Sequence, residues 1–464
     1  MPLAVNQRSK EVEDMAAEWP TIDALLGGTR GMRAAGERLL PKWPNEDAGA
    51  YRTRLATATL FPAFRRTLGV MAGKPFAKQM TLSEGTPPKI KEWSDDIDMQ
   101  GTNLHAFCSD LMEEAIGYGI AGVLVDYPKT NGVRTLADER AAGARPYWVH
   151  IRHDQILGWR TERKNGQLFT AQLRLLESEE EPDGPYGVKT VAQVRVLEPG
   201  KWATYRADSK GEFVLHEEGT TTLDIVPFVP FYGRRLGFMV GESPLVDLAH
   251  LNVKHWQDSS DQDKTTRFAR VRMAAIIGAD EMSEPVTLGS DYFIKLPRDA
   301  DIKVVQGSAE SVTVGRGELN ILEEQMIQSG AELLVAKPGT NRTATQDNNE
   351  AEANRCELQS IVESFEDSVD MALWIMGQWA GIPDAGSASL FKDFSAGSLR
   401  EASADLIFRM NVAGKISDET AFREQQRRGQ ISPDIEWEDE LERIDSQAPP
   451  LGLIGGGEGR GMGE

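Results

Sequence analysis

Residues 243–275 read SPLVDLAHLNVKHWQDSSDQDKTTRFARVRMAA. Ser243 is a helix N-cap candidate, and Pro244 at the first helical position has no N–H to leave unpaired. Neither Pro nor Gly interrupts the run from Leu245 to Ala275, so the pattern predicts one rod of roughly 45 Å at the helical rise per residue. Its middle, from Asp258 to Arg267, is polar at every position. A helix without a full apolar stripe either finds partners or stays solvated.

The segment beyond the rod sets its use. Residues 278–317 carry turn signals at Glu284-Pro285 and Leu288-Gly289-Ser290, with short β-like runs at 292–296 and 302–305. A second helix is expected over 318–335, with Leu319, Leu322, Met326, Ile327, Gly330 and Leu334 on one side. Two helices thus bracket a small β insert. Such an antiparallel return suits side-by-side packing in a ring, and a ring of one heterologous contact closes only if its rotation divides the circle.

Upstream, residues to about 128 read as helices. Tyr51, Leu55, Ala58 and Leu60 start an apolar stripe that Phe64, Leu68 and Met71 continue; Leu104, Phe107, Cys108, Leu111, Met112 and Ala115 mark another, leading into a short buried strand at 123–127. From 146 to 232 the texture is β. Lys164-Asn165-Gly166-Gln167 is a hairpin signal because Asn-Gly tolerates positive φ. Residues 177–187 read as an acidic loop, and strands are expected at 190–197, 202–206, 213–216 and 225–231, all in one antiparallel unit. Downstream, 336–349 is a loop. A long helix then runs to about Trp379, with Leu358, Ile361, Val362, Phe365, Val369, Leu373 and Met376 at helical spacing. After Gly381-Ile382-Pro383 comes a helical module, in which Ser417 caps one helix and 434–445 forms another, and then a Gly-rich tail.

The 464 residues are 40% hydrophobic, enough for a substantial core in about three domains or one composite unit. A net charge of −21 excludes a protein that grips nucleic acid by bulk basic charge. Cys108 and Cys356 stand far apart in no CxxC, which excludes a disulfide framework and points to a reducing compartment. The six histidines form no HExxH, so no metal site is expected. No targeting segment and no apolar run near the ~20 residues of a membrane helix is present, which predicts a soluble protein made in the cytoplasm.

Two letter matches fail on context. Gly117-Tyr-Gly119-Ile-Ala-Gly122 fits GxGxxG, but here the helix precedes and the strand follows, the reverse of a dinucleotide site. Gly69 to Pro75 resembles a Walker A loop one residue short, with Pro75 where Ser/Thr must bind magnesium. No GxSxG elbow appears, and the carboxylates are spread along helix faces. No catalytic residue, cofactor or enzymatic activity is expected.

The chain resembles the portal proteins of tailed bacteriophages, and more narrowly a portal branch catalogued as a domain of unknown function. The resembling stretches are Tyr51-Arg-Thr-Arg-Leu55 with Gly69 to Pro75; Gly119-Ile-Ala-Gly-Val-Leu-Val-Asp-Tyr-Pro128; Gly241-Glu-Ser-Pro-Leu245 through Asp261; Leu288-Gly-Ser and Lys295-Leu-Pro; 323–334 running into Arg342-Thr-Ala-Thr345; and Gly414-Lys-Ile-Ser417. The resemblance implies an α+β portal-like fold. Its helical and β wing would be residues 1–241, and its two-helix stem 242–272 and 314–335 around a small β clip at 273–313. A tunnel loop would follow at 336–345, then a long wing helix at 346–385, a helical crown at 386–450 and a tail at 451–464. It implies a homo-oligomeric ring of twelve subunits at the capsid vertex of the virion, assembled in the host cytoplasm. This ring would be a conduit for packaging and ejection of double-stranded DNA, with no catalysis of its own.

The implied partners are the terminase large subunit, a head-completion adaptor, and the major capsid and scaffolding proteins, with no membrane. DNA carries about one negative charge per 1.7 Å of axis, so an acidic wall keeps it mobile. Lys337, Thr340, Asn341, Arg342 and Thr343 are the tunnel-loop candidates, and Lys295, Arg298 and Lys303 the clip residues for terminase docking. A cytosolic enzyme with an unrecognised site and a non-ring capsid or scaffold component are the alternatives.

Overall fold

The computed structural model describes residues 3–128, 143–270, 273–277, 301–305, 309–332, 356–392, 394, 417–427, 437, 440, 441 and 443. The chain is α+β and divides into two compact units, Met1–Lys392 and Asp393–Glu464.

The first unit begins with helices α1 (Lys10–Ala16), α2 (Trp19–Leu26), α3 (Gly28–Ala35), α4 (Ala48–Thr57) and α5 (Ala63–Gly73), a two-residue strand β1 (Thr81–Leu82), then α6 (Pro88–Ser94) and α7 (Leu104–Tyr118). Helix α7 forms where the apolar spacing predicts it. The Asn103 side chain accepts the Ala106 N–H at 2.9 Å, and Gly119 at φ +91° ends the helix. Strand β2 (Ile120–Asp126) follows at once and is buried along nearly its whole length.

The structure separates the expected single β unit into two sheets. Strand β3 (Tyr147–Ile151) pairs with one edge of β2. Strands β4 (Ile156–Lys164), β5 (Gln167–Asp183), β6 (Gly187–Glu198), β7 (Lys201–Ala207) and β8 (Phe213–Thr220) form an antiparallel meander of their own. The run expected at 225–231 becomes β9 (Phe228–Tyr232), which leaves the meander and pairs with the other edge of β2. Its apolar residues find cover in the first sheet, where Phe231 packs 4.8 Å from Phe365. A short hairpin, β10 (Arg234–Gly237) with β11 (Val240–Glu242), leads on.

The Asn165-Gly166 turn forms as expected, with φ +52° and +84°. The expected acidic loop at 177–187 does not. Residues 167–183 are one strand, and only the turn around Gly184 breaks the hairpin. The glutamates are compensated from neighbouring strands: Arg195 lies 2.8 Å from Glu177 and 2.7 Å from Asp126 of β2, and Arg206 lies 2.6 Å from Glu181. Paired charges across a ladder replace the repulsion that the sequence alone displays.

The rod is helix α8 (Val246–Arg270), shorter than expected. Residues 273–277 form strand β12 (Met273–Ile277), paired in antiparallel register with β13 (Asp301–Val305). The return helix α9 (Ala309–Glu332) starts nine residues before the expected 318, so 309–317 belong to a helix and not to the β insert. Helix α10 (Glu357–Ala380) buries all seven predicted apolar positions and ends at Gly381, φ +67°. Its Trp379 donates to the Val125 carbonyl of β2 at 3.0 Å. Strand β14 (Ala388–Ser389) pairs back with β1.

In the second unit, helix α11 (Asp418–Arg427) begins at Ser417, whose hydroxyl accepts the Thr420 N–H at 3.2 Å; Phe422 packs 5.3 Å from Trp437.

Candidate functional site: the helix pair and its polar face

The start of α8 is fixed by a close backbone crossing. Ser243 accepts the Leu245 N–H at 3.2 Å and donates to the Ile116 carbonyl of α7 at 2.9 Å. A Cβ on Gly241 would meet the Gly119 carbonyl at 2.2 Å, and one on Gly122 would meet the Phe228 ring at 2.2 Å. The GxGxxG letters therefore mark a helix end, a backbone crossing and an aromatic packed on a strand. Gly69 and Gly73 of the Walker-like stretch lie within α5, whose helical backbone forms no phosphate loop.

Polar side chains along α8 are partnered by the N-terminal helices and the loops between them. Asn252 is fully buried; it accepts the Phe64 N–H at 3.0 Å and donates to the Phe61 carbonyl at 2.8 Å, closing the turn into α5. Gln257 donates to the Leu39 carbonyl at 3.1 Å. Asp261 accepts from Trp43 Nε1 at 3.4 Å and lies 3.5 Å from Arg54; burial pushes its carboxyl above the usual range, with Trp43 and Arg54 opposing. Arg54 is itself buried and pairs with Glu46 at 2.8 Å. Sequence reasoning singled out the 51–55 stretch without giving Arg54 this role. The available signal was an arginine on a helix that otherwise carries a core stripe.

Helices α8 and α9 run antiparallel. Gln262 donates to the Val312 carbonyl at 2.8 Å, and His255 lies 3.3 Å from Glu323. At Gly315 a Cβ would come within 2.1 Å of the Gln262 side chain, which explains a glycine inside α9. Between the helices an acidic recess of about 540 Å³ is lined by Asp258, Asp261, Glu310 and Glu318 among others. Among the described residues no group of three His, Cys, Asp or Glu is placed to hold a metal ion.

Helix α9 also carries exposed apolar residues, the first of them, Val314, at the rim of the recess. Val314 and Ile321, seven residues apart, are 58% and 55% exposed. Ile327, expected on the packed side with Met326 and Gly330, is 69% exposed while those two are buried. Ile277 at the far end of β12 is also exposed.

Of the sequence-predicted site residues, Lys303 is exposed on β13, across from Ala275. Lys295, Arg298, Lys337, Thr340, Asn341, Arg342 and Thr343 lie outside the described residues.

The family model described as "Domain of unknown function (DUF4055)" matches residues 244–380, from the start of α8 to the end of α10. No curated protein matches the chain. Among solved structures, the chain is similar to one titled "Neck of native GTA particle computed with C12 symmetry". The identity is 14% and the TM-score 0.40, over 84% of this chain and 97% of that one. A second, "Neck of empty GTA particle computed with C6 symmetry", gives 14% identity and a TM-score of 0.40 over 84% and 96%.

Proposed function

We propose that this chain is a portal protein of a tailed bacteriophage: a ring-forming subunit, twelve to a ring, that conducts double-stranded DNA into and out of a capsid. The observation that carries the reading is the α8–β12–β13–α9 excursion. Its polar side is satisfied within the subunit by Asn252, Gln257 and Asp261, while Val314 at the rim of the recess and Ile321 one heptad on are left to water. An apolar face of that kind is stabilised when a neighbouring copy covers it, at about 25 cal/mol per Å² removed from water. The chain's −21 net charge suits a conduit wall that repels DNA lightly and lets it slide.

On this reading the protein is not an enzyme. A separate terminase large subunit burns the ATP and docks at the clip during packaging, through Lys295, Arg298 and Lys303, and a head-completion adaptor docks there afterwards. Lys337, Thr340, Asn341, Arg342 and Thr343 are the proposed DNA-contacting residues of the tunnel loop, and the major capsid and scaffolding proteins are further partners. Mass measurement with negative-stain microscopy of the purified chain tests the reading. An annulus near twelve subunits is expected, and a strict monomer or dimer across salt conditions overturns it.

A further inference from the structure

The meander β4–β5–β6–β7–β8 has two unpaired sides, because β4 neighbours only β5 and β8 neighbours only β7. Resting on the ring reading, we infer that these two edges join successive copies of the chain: β8 of one subunit takes the outer half of β4 of the next, strands parallel, so that the wing sheets are continuous between neighbours.

The inner half of β4 is already covered. Ser9 donates to the Leu157 carbonyl at 2.7 Å, and Arg174 holds the strap that carries Ser9 through the carbonyls of Val5 and Gln7 at 2.9 and 2.7 Å. Beyond Trp159 every residue from Arg160 to Lys164 is exposed. On β8, Val214 and Leu215 are 48% and 50% exposed. Successive strand residues point to opposite faces, so neither face of β8 is covered, and such an edge is a template for another strand.

Charge favours β4 as the partner of β8. The outer half of β4 ends in Arg163 and Lys164, whereas β8 carries Glu217 and Glu218 in its C-terminal half. Pairing β4 with β4, or β8 with β8, would set like charges opposite, which is destabilising. Pairing β8 with β4 in parallel brings the two C-terminal halves, and so these opposite charges, level, although Arg160 and Glu162 also lie in this stretch of β4. The topology gives the same answer independently. Four antiparallel steps separate β4 from β8, so the two strands run the same way. A neighbour related by the small rotation of a many-membered ring presents its β4 parallel to β8.

Cross-linking tests the contact. Cys108 and Cys356 are buried, so thiols introduced by Lys164→Cys and Glu218→Cys in one chain are the accessible ones. With a short bismaleimide the double variant is expected to give a covalent ladder extending to the full ring, and each single variant no ladder. Rings seen by microscopy that give no ladder overturn the edge pairing and leave the ring reading standing. A ladder from open chains without rings supports the edge pairing and overturns the ring; a chain that neither assembles nor cross-links overturns both. In a second measurement, Glu217→Lys with Glu218→Lys is expected to raise the concentration for half-assembly about tenfold. Adding Arg163→Glu and Lys164→Glu restores it. Unchanged assembly in the first pair counts against the inference.

Discussion

Arg54 and Glu46 form a buried ion pair, with Nη2 2.8 Å from Oε2 and side chains 6% and 1% exposed. The same guanidinium also reaches Asp261 on α8 and the Pro41 carbonyl. It thereby ties the 41–47 loop to the polar middle of the long helix. Removing one partner of such a pair leaves an uncompensated buried charge. Arg54→Met is expected to cost about 3–5 kcal/mol, read as a shift of the urea midpoint. Replacing both partners, Arg54→Met with Glu46→Leu, should recover most of the loss. A single variant that unfolds like the parent would show the pair to be dispensable.

Gly119 shows why the GxGxxG letters are structural. Its φ of +91° disfavours any side chain, and a Cβ would lie 2.6 Å from the Glu242 backbone. Gly119→Ala should therefore destabilise the fold by more than the ~1 kcal/mol of an ordinary helix glycine change, measured by thermal unfolding. The unaltered protein should neither bind nucleotide nor turn over ATP, and Lys74→Ala should change nothing in either assay. Turnover abolished by that substitution would place a phosphate site at α5.

How much of the fold was legible in the sequence depended on where each residue's partner sits. The Asn165-Gly166 turn and the helices α7 and α10 were readable because their signals are local: a turn dipeptide and apolar residues every three or four positions. The acidic run at 177–187 misled because Arg195 and Arg206, which neutralise it, lie on other strands. The polar middle of α8 announced a need for partners without naming them, since Asp261 meets Trp43 and Arg54, some two hundred positions earlier. Residues 309–317 read as part of the β insert, whereas they are helical and Gly315 is the place where α9 closes on Gln262. The candidate cations were chosen by family resemblance, and only Lys303 of them falls among the described residues.

Glu114 gives the fold an acid-sensitive joint. Burial pushes its carboxyl up, but hydrogen bonds and charge from His153 outweigh this and hold it below the usual carboxylate range. The His153 ring in turn stacks on Tyr118 at 3.5 Å and meets Trp19 edge-on at 4.6 Å. A depressed folded value means the contribution is complete above the unfolded value of about 4.5 and is lost as pH falls through the folded one. Glu114→Gln should thus flatten the fall in stability below about pH 4.5. An unaltered acid-unfolding profile would show the contact to be inconsequential.

The cations of the proposed loop and clip separate by readout. Lys337→Ala with Arg342→Ala should leave ring size unchanged and alter the length of DNA packaged or retained. Charge reversal at Lys295, Arg298 and Lys303 should weaken terminase capture by intact rings. Normal packaging in the first case, or full capture in the second, removes those residues from the respective surfaces.

The exposed face of α9 offers the most direct test of assembly. Val314 and Ile321 contribute little to the subunit's own core, being more than half exposed. Exposed substitutions away from caps and buried networks usually stay within about 0.5 kcal/mol. Val314→Gln with Ile321→Gln adds no charge beside Asp258, Glu310 and Glu318 and should therefore leave the unfolding midpoint of the isolated subunit nearly unchanged. If a neighbour covers this stripe, the same two amides are buried without hydrogen-bond partners at every interface of the ring, and closure multiplies the penalty around the circle. The expected result is a folded subunit with native circular dichroism that sediments as a monomer or small oligomer. Intact rings from the double variant would show that α9 faces solvent in the assembly and that the subunits meet elsewhere.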